Sequence, residues 1–269
     1  MTMPAAWDCH VHVFGDPRRY PLARDRRYTP MEAGIGRLRG HLDAVGATRV
    51  VLVQPTVYGD DHACLLDALD ALGGAAVAVA AWHGAAPPRH PRLRGLRLDL
   101  RGGWSGDHAR ALAAAAEAGG AHRCHLELQV APETLAPLAT AIDGLGTPLV
   151  LDHLAGFPSG EEVAALDRLL AQPGVFVKLS ALERAPGRAG ANALAQHLVR
   201  RAPDRLLWGS DWPHTPQHPP FDPRERPLPF RRVDDAAALE ALAAILGRPA
   251  LNAARTAIPE RLYGQAYPK

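Results

Sequence analysis

The run Asp8-Cys9-His10-Val11-His12-Val13-Phe14 sets two imidazoles two residues apart. Side chains alternate across a strand, so this spacing predicts Asp8, His10 and His12 on one face. Two imidazoles side by side offer two nitrogen ligands to a metal, or two donors to a substrate oxygen. A lone His-x-His is more often a buried, hydrogen-bonded pair, so its weight depends on what else converges on it. His153 follows the apolar run Leu149-Val150-Leu151 and stands beside Asp152. Asp211 closes Leu206-Leu207-Trp208-Gly209-Ser210, shortly after a glycine that lets another segment approach closely. On its own, Asp211 reads equally well as a turn or helix cap.

Arginines supply a second kind of chemistry. In Leu96-Arg97-Leu98-Asp99-Leu100-Arg101 the leucines share one face and the charges the other. If the leucines pack on helices, Arg97 and Arg101 point inward, where a guanidinium offers a planar fork to a carboxylate. An Arg97–Asp99 ion pair is the competing explanation. Gln129, Gln54, Ser180, Trp82 and His83 also end apolar runs. Ordinary packing is the simpler role for each, with Gln129 kept beside the arginines as a substrate-binding candidate.

These residues need elements to hold them. Eight short β-branched or apolar runs recur along the chain: Trp7 to Phe14, Arg49 to Gln54, Ala75 to Trp82, Leu93 to Leu100, His125 to Val130, Pro148 to His153, Val175 to Ser180 and Arg205 to Ser210. Helical candidates lie near 31–46, 59–72, 107–119, 132–144, 160–172, 190–202 and 235–247, whereas 83–92 is too short and proline-rich. Eight alternating units in 269 residues predict one domain over 1–269, a single (β/α)8 TIM barrel. Chemistry in such barrels sits at the C-terminal ends of the strands, where His153 and Asp211 fall. The proline-rich stretch 213–229 reads as a long loop able to cover the mouth.

Composition narrows the partners. With 30 basic and 28 acidic residues interspersed, the formal charge of +2 gives no block suited to a phosphate backbone, so nucleic acid is not an expected partner. Cys9, Cys64 and Cys124 form no CxxC pair and leave one over if two were bridged, which points to a reducing compartment. No apolar run reaches about 18 residues and no signal peptide is visible, so the expectation is a cytoplasmic protein with a small-molecule substrate and no membrane partner. The oligomeric state is left open.

The segments DCHVHVFGDPRRYPL, LRGLRLDL, LVLDHLAGFP, VFVKLSALER and RLLWGSDWPHT, in that order over 8–215, and ERLYG at 260–264, resemble the amidohydrolase superfamily. The likeness is to the amidohydrolase-related branch that includes 2-pyrone-4,6-dicarboxylate lactonase and sugar-lactone hydrolases. It implies a hydrolase that opens a small carboxylated lactone, with Asp211 as general base activating water. It also implies that His10, His12 and His153 either hold a divalent metal with Asp211 or polarise the carbonyl directly. A binuclear site on a carboxylated strand-four lysine is not expected, because the only lysines are Lys178 and Lys269. The resemblance then favours a site requiring no cofactor, with one divalent metal such as zinc as the alternative. Arg97 matches an arginine that binds a substrate carboxylate, and Arg184 a second. Glu183 stands where relatives often have tyrosine, and an acid there is expected to weaken Arg184 and a dicarboxylate substrate with it. The competing functions are a metal-dependent decarboxylase of the same superfamily and a barrel that binds a small ligand without catalysis.

Overall fold

The computed structural model describes residues 4–102, 105–142, 144–216 and 226–264. Eight parallel strands run in sequence order around one sheet: β1 Trp7–Val11, β2 Arg49–Val53, β3 Ala76–Ala81, β4 Leu93–Leu100, β5 His125–Val130, β6 Leu149–Leu151, β7 Val175–Leu179 and β8 Leu206–Trp208. The ring closes where β8 runs past β1: Asp211 N–H donates to the His10 carbonyl (2.9 Å), and His12 N–H to the Trp212 carbonyl (2.8 Å). The expected (β/α)8 barrel is therefore observed, with all eight strands where the apolar runs place them.

Runs such as Arg-Val-Val-Leu-Val in β2 and Ala-Val-Ala-Val-Ala-Ala in β3 are buried on both faces, which is why they lack a polar alternation. One face of each strand packs outward against α1 Ile35–Ala44, α2 Ala63–Leu72, α3 Gly106–His122, α4 Leu135–Ala141, α5 Glu161–Leu170, α6 Arg188–Arg201 and α7 Asp235–Leu246. The other face builds an apolar floor from Trp7, Cys9, Val51, Val77, Val150, Phe176 and Leu207. Two further helices, α8 Arg248–Arg255 and α9 Ala257–Tyr263, follow the expected set. Ile258, Leu262 and Tyr263 of α9 seal the floor at the strands' N-terminal end, where Arg94 Nε donates to the Tyr263 carbonyl.

Helix ends differ from expectation where local geometry intervenes. Residues 59–62 are not helical because Gly59 (φ +53°) ends a 3-10 turn over Thr56–Tyr58. Pro132–Thr134 likewise form a 3-10 turn before α4. Of the loop expected over 213–229, residues 217–225 lie outside the described residues, and Pro227–Leu228 pair in parallel with Thr29–Pro30. Among the described residues no helix is long and apolar enough to cross a membrane.

Strand β1 departs from simple alternation. Asp8 pairs with Val50 but Val11 with Leu52, so three steps of β1 oppose two of β2, which is a β-bulge. Cys9 stays with the floor, His10 also turns inward, and Asp8 faces outward to His41 of α1 (Nε2–Oδ2 2.9 Å). Asp8 thus does not share a face with His10 and His12, because the bulge breaks the two-residue period between them.

Gly209 sits where β8 meets the bulge. A Cβ there would lie 2.6 Å from His10 Cβ and 2.8 Å from His10 N, so the close approach read from the sequence is real. Gly209→Ala is expected to cost about 1–3 kcal/mol through forced displacement of β1, measured by urea denaturation. An unchanged midpoint would show that the seam tolerates a methyl group.

Candidate active site

Four side chains meet at the C-terminal mouth of the barrel. Asp211 Oδ1 lies 3.5 Å from His12 Nε2, 3.7 Å from His10 Nε2 and 4.0 Å from His153 Nε2, and the two inner imidazoles are 3.3 Å apart between Nε2 atoms. All four residues are buried. Backbone strain accompanies two of them: Asp211 (φ +66°) and His153 (φ +51°), with His214 (φ +66°) close by in sequence, occupy the left-handed region that non-glycine residues seldom visit.

Each imidazole is anchored through Nδ1. His12 Nδ1 lies 2.8 Å from the Val53 carbonyl, which only accepts, so this nitrogen carries the proton and Nε2 presents a lone pair. His153 Nδ1 meets Ser180 Oγ at 2.8 Å. His10 Nδ1 faces Lys178 Nζ at 3.1 Å and Asp152 Oδ1 at 3.3 Å. Burial lowers the His153 pKa to about 4 and, with the Lys178 charge, holds His10 well below its ordinary value, so both rings are neutral near pH 7. Burial alone would raise Asp211; the Arg184 guanidinium beside it outweighs burial and keeps its carboxyl well below the usual range. An ionised carboxylate is thus held beside two neutral imidazoles, His10 and His153. Such an arrangement is able to take a proton from a water.

The sequence profile of the amidohydrolases matches residues 7–255, which spans all four side chains. The chain belongs to the amidohydrolase family. It is 29% identical to 4-sulfomuconolactone hydrolase of Rhizobium radiobacter over 244 residues, 82% of this chain and 79% of that one. It is 31% identical to 2-pyrone-4,6-dicarboxylate hydrolase of Comamonas testosteroni over 242 residues, covering 79% of this chain and 78% of that one. A crystal structure from Pseudomonas putida, described as a 2-pyrone-4,6-dicarboxylic acid hydrolase, superposes with a TM-score of 0.75 at 29% identity, covering 98% of both chains. This amidohydrolase is accordingly a hydrolase.

The arginines of the amidohydrolase are placed less simply. Arg97 does turn inward, but its Nε donates to Asp152 (2.9 Å) and its Nη2 to Gln129 Oε1 (2.8 Å), leaving only 6% of the side chain exposed. The Arg97–Asp99 pair considered from the sequence is replaced by Arg101–Asp99, with Arg101 Nε 2.8 Å from Asp99 Oδ1. Arg184 Nη2 reaches Thr215 O and Oγ1 (2.6 and 2.7 Å) and lies 3.1 Å from Asp211 Oδ2, while its buried Nε has no hydrogen-bond partner among the described residues. Glu183 does not compete for Arg184 as its position suggested. It points to Arg231 Nη2 at 2.8 Å. An open depression of about 1170 Å³ lies past the ends of β2, β3 and β4, lined by Arg26, Arg27, Tyr58, Trp82, His83 and Asp99 among others, with none of the four converging side chains in its lining.

Sequence reasoning passed over several site residues. Lys178 and Glu127 are completely buried inside the barrel, and their signal was a single charge within the apolar runs Val-Phe-Val-Lys-Leu and His-Leu-Glu-Leu. A second group lies behind the mouth. His41 contacts Asp8 and, through Nδ1, Asp235 (3.2 Å); His214 contacts Asp235 (3.0 Å) and faces Glu183 at 3.8 Å. These partners come from different elements and share no local spacing.

Burial opposes charge on both of these imidazoles, yet their carboxylates prevail and raise each pKa to about 9 from 6.5. A folded-state pKa raised above the unfolded value stabilises fully below about pH 6.5 and ceases to do so as pH rises through 9. The urea midpoint should therefore fall between pH 6.5 and 9, with Asp8, Asp235, Glu183 and Arg231 as the charges facing the rings. His214→Gln should show a shallower fall. A midpoint flat across that window would mean that neither ring carries the extra proton.

Proposed function

We propose that the protein hydrolyses a small lactone bearing at least one carboxylate, with Asp211 as general base and His10, His12 and His153 around the reacting carbonyl. The observation that carries this reading is the ionised Asp211 carboxylate ringed by three imidazole Nε2 atoms at 3.5–4.0 Å. Relatives named as hydrolases of sulfomuconolactone and pyrone dicarboxylate support the substrate class.

Asp211 Oδ1 is a charged acceptor at the mouth, to which an attacking water can donate a hydrogen. As that water attacks the ring carbonyl, Asp211 takes its proton. The carbonyl oxygen becomes an oxyanion that needs preorganised donors. When the ring C–O bond breaks, the proton passes to the ring oxygen, so one water is added across the bond and a hydroxy acid is released.

His10, His153 and Asp211 place ligand atoms within 4.8 Å of one another, so the group could hold one divalent ion in spacing. Its charges and protons argue otherwise. Arg184 lies 3.1 Å from Asp211 and Lys178 3.1 Å from His10, so cations already lean on two of these three ligands. We therefore read the hydrolysis as needing no metal. Zinc held tightly by protein purified without added metal, with activity lost to chelator, would instead favour the metal-dependent reading, a decarboxylase included.

Asp211→Asn should reduce turnover about 10²–10⁴-fold, the usual range for losing a general base, with the fold intact by circular dichroism. Turnover near wild type would remove Asp211 from the mechanism. For recognition, the unpartnered Arg184 Nε is the donor a substrate carboxylate would meet. Arg101, still one-third exposed, is a second candidate, whereas Arg97 and Gln129 hold the wall. Arg184→Lys should raise KM roughly tenfold or more for the acid, because a charge-assisted hydrogen bond is worth about 1.5–3 kcal/mol and the lysine has no donor at the Nε position. It should change KM little for the methyl ester. Equal preference of the wild type for acid and ester would rule out the anchor and favour a neutral sugar lactone.

A further inference from the structure

Beneath the three histidines the barrel interior holds a second polar layer. Lys178 Nζ from β7 lies 2.5 Å from Glu127 Oε2 of β5, 3.3 Å from Asp152 Oδ1 after β6 and 3.1 Å from His10 Nδ1 of β1. All four side chains are 0% exposed. Without the lysine, His10, Glu127 and Asp152 would form a cluster whose ligand atoms lie within 4.8 Å of one another, a cation site in spacing and donor type. Glu127 Oε1 and Asp152 Oδ1 are buried with no hydrogen-bond partner in good geometry, and the two carboxylates share Lys178 with Arg97, whose Nε donates to Asp152 Oδ2 (2.9 Å) and lies 3.7 Å from Glu127 Oε1.

An ammonium only donates, and here it meets Glu127 Oε2 and His10 Nδ1 at hydrogen-bond distance, with Asp152 Oδ1 as an ion-pair partner at 3.3 Å. In neutral His10 the proton must then sit on Nε2, which points at His12 Nε2 3.3 Å away. That atom is an acceptor, because His12 Nδ1 donates to Val53. One proton assignment therefore satisfies the whole line, from Lys178 to His10, His12 and the Val53 carbonyl. The opposite tautomer of His10 would place two lone pairs face to face at 3.3 Å.

We propose that Lys178 is a built-in cation that takes the place of an ion at His10, Glu127 and Asp152, and that its hydrogen bond to His10 Nδ1 fixes the tautomer offering Nε2–H to the substrate oxygen. Lys178 is a positioning residue acting through His10, since it does not reach the mouth itself. In this tautomer His10 Nε2 has no lone pair for a metal, so Lys178 also sets the barrel against zinc. The proposal rests on the reading above only in naming the oxygen that His10 meets.

Two measurements without substrate test it. In ¹⁵N-histidine-labelled wild type, with the His10 signals assigned by their loss in His10→Gln, Nδ1 should show the unprotonated signature and Nε2 the protonated one. The reverse would overturn the proposal. Zinc added to metal-free Lys178→Met, measured by equilibrium dialysis, should bind on the order of 10- to 100-fold more tightly than to wild type, the scale on which an outer partner governs a metal ligand. Equal affinity in the two proteins would overturn it as well. Should Lys178→Met not fold, the wild-type tautomer alone decides. Failure of the lactone reading would appear elsewhere, as absent turnover of every lactone with the tautomer as described.

Discussion

The seam between the first and eighth strands carries the site. Asp8 Oδ1 accepts from the N–H groups of both His10 (3.2 Å) and Ser210 (3.0 Å), so one carboxylate grips the two strands that lead into His12 and Asp211. Asp211 N–H then bonds to the His10 carbonyl and places carboxylate and imidazole on adjoining backbone. The bulge is what allows this, because it turns Asp8 outward into the seam while His10 still faces the interior. His41, stacked on Trp212 with ring centroids 5.7 Å apart, closes the outer side of the same joint.

Below the seam the interior divides into two layers with opposite logic. The floor is apolar, sealed by α9, and stabilises by removing surface from water. The layer above contains Arg97 and Lys178 against Glu127 and Asp152, two positive and two negative groups in the driest part of the barrel. Burying charges is costly even when they are paired, and well-packed apolar residues often replace such groups without loss. This layer is therefore better explained by what it does for the histidines than by what it adds to folding.

The alternation of apolar and helical runs was enough to place all eight strands, since a closed barrel buries both faces of each strand and leaves a plain apolar signature. His10, His12, His153 and Asp211 were legible because they end those runs at one end of the barrel. Asp8 was misread because a bulge adds one residue and no local pattern marks it. Lys178 and Glu127 were legible only as oddities, a charge inside an apolar run, and their partners lie 51 residues apart in the chain. Glu183 was misread for a related reason. Its neighbour in sequence is Arg184, but the 3-10 turn over Leu182–Arg184 sends the two side chains apart, one to Arg231 and the other to Thr215.

That divergence bears on how recognition and chemistry are joined. Arg184 lies 3.1 Å from Asp211 Oδ2 and is among the charges that keep the carboxyl ionised. A base held so far down is a weak base, because proton-transfer efficiency rises as the base's pKa approaches the working pH. On the proposed reading, a substrate carboxylate that engages Arg184 shares the guanidinium charge and brings a negative charge near Asp211. Both effects raise the proton affinity of Asp211, and a like charge close by does so directly. The empty site then keeps Asp211 ionised and ready, and the bound anion makes it a stronger base when the water is in place. A neutral lactone would fill the same space without this effect, so the anion's contribution falls on the chemical step as well as on binding.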